Sequence, residues 1–167
     1  MDNSGNHPSI TNFNSGAAYI FKRDSGAETW TETEYLKAST TGKDDSFGGS
    51  VAISGDYIIV GARDQGTGST GAAYIFKKDS DAETWTQKAY LQAEGPDEKH
   101  YFGASVAMIG DYVIVSATGD YTGTSWSSSV QNQGAAYIFK RDSGAETWTR
   151  HAKLTAHNRD VDDSFGG

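Results

Sequence analysis

The chain has 167 residues, enough for one ordinary domain, and no cysteine, which excludes a disulfide framework and a thiolate metal site. Its 22 acidic and 14 basic side chains give a net charge of -8, a surface that repels phosphate backbones and argues against nucleic-acid binding. No stretch approaches the roughly 20 apolar residues of a spanning helix, so no membrane insertion is expected.

Residues 1–15 open with MDNSGNHPSI, which has neither the basic start nor the apolar core of a secretory signal, and they read as a flexible lead-in. From Gly16 the chain repeats itself. Gly16 to Thr31 reads GAAYIFKRDSGAETWT, and Gly134 to Thr149 is identical. Gly71 to Thr86 differs only in Lys78 and Asp81. A second motif interleaves with the first, FGGSVAISGDYIIVGA from Phe47 to Ala62 and FGASVAMIGDYVIVSA from Phe102 to Ala117. The spacing is 55 and then 63 residues, and the difference falls in one loop, after Ala117.

Each unit parses into four short strands. Strand A spans about Phe47–Ile53, where Val51 and Ile53 alternate with Ala52. A turn, Ser54-Gly55-Asp56, leads to strand B over Tyr57–Ala62. Strand C is Ala72–Lys77, and strand D runs from about Trp85 to Ala93. The C–D turn, Asp79-Ser80-Asp81-Ala82, has the small polar residues of tight hairpins. No segment has a helical apolar period. Four antiparallel strands repeating every fifty to sixty residues predict an all-β chain of β-propeller blades, about two and a half of them. The division is a half blade at 16–39, full blades at 46–93 and 101–156, and the start of another at 164–167. Propellers close with four to eight blades. Bare sheet edges recruit other strands. The expected partners therefore include further blades of a parent chain or other copies of this one.

SFGGSVAISGDYIIVGA followed by GAAYIFKRD resembles the FG-GAP repeat, the blade of integrin-α-type propellers. The FG is Phe47-Gly48, Phe102-Gly103 and Phe165-Gly166; the GAP position reads Gly61-Ala62-Arg63 and Ser116-Ala117-Thr118, without its proline. The resemblance implies a non-catalytic binding or scaffolding module of a secreted or cell-surface protein. Many blades of that family hold calcium in an Asp-rich A–B loop. Here that loop has one carboxylate, Asp56 or Asp111, against the six to eight oxygens calcium takes. No cofactor is expected, and calcium enters only through the resemblance.

In an antiparallel blade the A–B and C–D turns share one end, and the B–C and D–A connections share the other. The first set is nearly constant between copies and the second diverges, which makes the second end the expected binding face for a protein or glycan ligand. Trp126 stands out there, because it has no counterpart in the other units. An exposed tryptophan offers contact area to a sugar or a protein. Tyr121, His100 and Tyr101 are weaker companions, and Asp64 and Asp120 are the polar candidates at the loop starts. Trp30, Trp85 and Trp148 share one frame position and are expected to pack between blades. The acidic pairs Asp44-Asp45 and Asp162-Asp163 suit turn capping, with a weak cation or partner-lysine site as the functional alternative.

No enzyme is expected. The four histidines have no metal-ligand or triad-like spacing, and no phosphate-binding glycine loop exists. Asp24 to Trp30 resembles the Asp-box hairpin of sialidase-type propellers, but its glycine-to-tryptophan interval is one residue too long. Three readings remain: protein recognition, a lectin-like propeller, and a purely structural repeat.

Overall fold

The computed structural model describes residues 14–93, 100–120, 132–158, 160 and 162–167, and every regular element in it is a strand. A two-stranded ladder is made by β1 (Ala18–Arg23) and β2 (Trp30–Leu36). The second sheet has the order β3 (Phe47–Ser54), β4 (Tyr57–Ala62), β5 (Ala72–Lys78), β6 (Trp85–Leu91). The third repeats it with β7 (Phe102–Ile109), β8 (Tyr112–Ala117), β9 (Ala135–Asp142) and β10 (Thr147–Leu154). All neighbours pair antiparallel. By repeat position, β1 and β2 are the third and fourth strands of a unit.

The first hairpin turn is tighter than the sequence suggests. Ser54 pairs with Tyr57, so the loop is the two residues Gly55-Asp56. Gly55 has φ +57°, the left-handed first position that a type II′ turn reserves for glycine. The last hairpin is wider, because the strands resume only at Trp85. The fourth strand ends at Leu91 rather than Ala93.

Packing follows the pleat. In β4, Ile58, Val60 and Ala62 point toward the ladder and join Leu36, Phe47, Tyr74 and Phe76 in one core cluster. Tyr57 and Ile59 point the other way and meet Val113, Val115, Tyr137 and Phe139 of the third sheet. Every residue of β4 is buried as a result. Full burial of each large aliphatic side chain contributes about 1.5–3 kcal/mol. The sheets do not stack in parallel. β7 lies along both β3 and β4, whereas the outer strands β6 and β10 barely meet. Sheets that converge at their first strands and splay at their fourth are the blades of a propeller.

The junctions between blades explain the motif glycines. Phe102 forms a parallel bridge with Gly71, as Phe47 does with Gly16 and Phe165 with Gly134. The Phe102 amide donates to the Thr70 carbonyl at 3.1 Å. A Cβ on Gly71 would lie 2.2 Å from the Phe102 carbonyl oxygen, and one on Gly103 2.2 Å from that of Ala72. The two backbones touch there, and no side chain fits between them. Phe102 then lays its ring edge-on against Tyr137 and Phe139 at 5.5 and 6.1 Å.

Candidate binding face

The two ends of the blades are built differently. At the hairpin end, Lys78 N donates to Asp56 O and Arg141 N to Asp111 O, each at 2.8 Å, which ties the first turn of a blade to its last. Asp24, Asp79 and Asp142 each accept two backbone amides of their own hairpin, Ala145 and Gly144 in the case of Asp142. Those amides hold all three carboxyls below the usual carboxylate range. The aspartates therefore fold the hairpin. Asp111, read as a turn residue, also accepts from the guanidinium of Arg141, whose Cζ lies 4.4 Å from the centroid of the Tyr57 ring of the preceding blade.

At the opposite end the β4–β5 loop closes on itself through Gly71 N to Gln65 O at 2.8 Å. It then reaches the next blade, where Tyr101 N donates to Ser69 O at 3.1 Å. An open cavity of about 630 Å³ forms here, lined by residues that include Lys43, Asp44, Ser46, Asp64 and Ser69. Its walls are braced by short polar contacts. Asn14 Nδ2 donates to Asp44 at 2.9 Å, and Ser46 Oγ to Asp64 at 2.7 Å. Arg63 Nε lies 3.5 Å from the other Asp64 oxygen, and its guanidinium covers the Tyr101 ring at 5.2 Å. Both contacts are partly solvent-exposed, with the Arg63 side chain 51% and the Asp64 side chain 29% exposed.

Left-handed backbone occurs at both ends, at Glu28, Glu83 and Glu146 in the hairpins and at several residues here. Asp44, Ser46 and Ser69 lie at φ +64°, +57° and +60°, and Tyr101 at +53°. The conformation at Tyr101 belongs to the repeat, since Ser46 and Ser164 hold the equivalent position at φ +57° and +49°; here a bulky aromatic occupies it. Tyr101 stands where the other units have Ser46 and Ser164.

The remaining candidates divide. Asp120 is 1% exposed. One oxygen accepts a short hydrogen bond from the Tyr137 hydroxyl and the other an ion pair from Lys153 at 2.9 Å. In the second blade the same places hold Gln65, Tyr74 and Tyr90, with Gln65 Nε2 donating to Thr40 Oγ1 at 2.8 Å. Asp120 thus sits beneath the face and supports it. His100 is also buried, and its carbonyl accepts from Gly119 N. Tyr121 and Trp126 lie outside the described residues. The acidic pairs split by role. Asp45 is buried and accepts from Gly42 N, and Asp163 accepts from Asp160 N at 2.8 Å. Asp44 and Asp162 instead take hydrogen bonds from Asn14 and Asn132. Among the described residues no three His, Asp or Glu side chains converge as a metal site would need.

Arg63, Lys43 and Ser69 were not singled out from the sequence. Arg63 carried a signal, since it replaces the proline of the GAP triplet.

The FG-GAP repeat family matches residues 30–76 and 85–139, more than half of the chain. The chain belongs to the FG-GAP repeat family. Each matched segment runs from the fourth strand of one blade to the third of the next, so the family unit contains the D–A connection that forms part of this rim. No curated protein matches the chain. FG-GAP repeats are generally non-enzymatic propeller modules.

Proposed function

We propose that this FG-GAP chain is a recognition module of a secreted or cell-surface protein, and that it takes a protein ligand on the end carrying the B–C and D–A connections. The observation that supports this is the asymmetry of the two ends. One is made of near-identical, internally satisfied hairpins. The other holds the open polar cavity, the unrepeated aromatic Tyr101, and the partly exposed Arg63 and Asp64 beside it. Rim polar groups of this kind orient a partner, and an aromatic beside them supplies apolar area.

The test uses the tagged chain as bait against an array of extracellular ectodomains. A captured ectodomain should lose at least about tenfold in affinity with Arg63→Ala, Asp64→Ala or Tyr101→Ser, the size of a modest hot spot. Asp81→Ala at the hairpin end should leave it unchanged. Capture that ignores the three rim changes and fails with Asp81→Ala would reverse the face assignment. A signal confined to a glycan array would favour the lectin-like reading.

A further inference from the structure

Each hairpin between the third and fourth strands of a blade breaks the same local rule. Its left-handed position is held by a glutamate, Glu28, Glu83 and Glu146, at φ +54°, +55° and +53°. Glycine suits that position best, with asparagine and aspartate next. The repeat has a glycine close by, Gly26 and Gly144, yet neither lies at positive φ, and Asp81 replaces it in the second hairpin. The turn amides are taken by Asp24, Asp79 and Asp142, so the glutamate carboxylate is not needed for them. A residue that contradicts its own backbone in every hairpin calls for a compensating contact elsewhere.

At Glu146 that contact lies across the junction between the second and third sheets. Lys77 and Tyr57 stand directly opposite each other on β5 and β4, so the second sheet presents two donors side by side. Glu146 pairs with Lys77, and the same oxygen accepts from Tyr57 Oη at 3.1 Å. The side chains of the ion pair are 31% and 39% exposed, and the Trp148 ring packs edge-on against Tyr57 at 6.1 Å. Lys77 holds the Glu146 carboxyl below its ordinary value, and Glu146 holds the Lys77 ammonium above its own. A cation of the same blade does not account for the glutamate. Arg141 comes only within 3.8 Å of Glu146, and its guanidinium is engaged by Asp111. Glu83 reaches Lys22 of the ladder at 3.3 Å, but both side chains are mostly exposed there, so that contact is the weaker of the two.

We propose that Glu146 is an inter-blade clasp, held in an unfavourable backbone conformation because its carboxylate grips Lys77 and Tyr57 of the preceding blade. It fixes how the third blade docks on the second, and its own hairpin folds without it. Glycine would make the better turn and could not make the contact.

Urea denaturation of Glu146→Gly in two backgrounds of the whole chain tests this. One background is the natural sequence. The other carries Lys77→Met and Tyr57→Phe, which remove both donors and keep most of the apolar packing. Without the donors, Glu146→Gly should raise the midpoint by about 0.5 M, the left-handed penalty released over a typical urea slope. In the natural background that gain should vanish or reverse, because two charge-assisted hydrogen bonds across the junction are lost with it. Lys77→Met alone is a milder background and should show the same difference at smaller size. An equal gain in both backgrounds would overturn the proposal, since the glutamate would then be strain without a clasp. An equal loss in both would overturn it as well, since the carboxylate would then serve its own blade.

Discussion

Gly71 and Gly55 both adopt positive φ, at +82° and +57°, but their surroundings differ. A Cβ on Gly55 would meet nothing within 4 Å. Gly55→Ala should therefore cost only the left-handed penalty of about 1–2 kcal/mol. Gly71→Ala adds a collision with the Phe102 backbone at 2.2 Å and should cost at least about 3 kcal/mol, within the range of severe single substitutions. Urea denaturation of the two variants separates these effects. The sequence marked both glycines equally, as members of repeated motifs. Only the distance to the neighbouring blade distinguishes a turn glycine from a contact glycine. The hairpin aspartates behave differently again, because their partners are their own amides. Their carboxyls are held below the ordinary value near 4, so their contribution to stability is present above that value. It is lost as pH falls through the lowered folded values. The Asp24→Asn, Asp79→Asn, Asp142→Asn triple variant should show a flatter loss of stability below about pH 4 in a pH-resolved thermal melt.

Among the strands, the fourth of each blade tunes what can be buried beneath the rim. Tyr74 pairs across the sheet with Tyr90, and Tyr137 pairs with Lys153. The buried loop residue changes with that partner, from Gln65 to Asp120. A carboxylate needs a cation once water is removed; an amide does not. Lys153→Met should thus cost about 2–3 kcal/mol, below the full cost of breaking a buried pair because the lysine is partly exposed. Asp120→Gln with Lys153→Tyr transplants the neutral solution of the second blade and should recover most of that loss. Denaturant midpoints of the single and double variants check it. In the sequence Asp120 was indistinguishable from a surface loop aspartate. Its loop neighbours are polar, and its cation lies 33 positions away on another strand.

Across the whole molecule, burial depends on which blades have neighbours. Ile59 and Ile114 occupy one place in YIIV and YVIV, yet Ile59 is fully buried and Ile114 is not. Ile59→Ala should cost about 2–5 kcal/mol. Ile114→Ala should cost well under about 1 kcal/mol in the dilute chain, as surface positions do. Thermal melts of the two variants separate these costs.

Strand positions, hairpin polarity and the opposition of the two blade ends were legible from the sequence alone. They follow from local rules, namely alternating side chains, glycine where backbone must turn or touch, and aspartate where amides need an acceptor. Identical segments solve those local problems identically wherever they occur. Which copies of Ile, Tyr and Trp are covered, where Asp120 finds its cation, and how Arg63 comes to lie over Tyr101 were decided by the tertiary structure. Those outcomes depend on what lies across a blade junction, and a repeated sequence has no means of encoding its neighbour's presence.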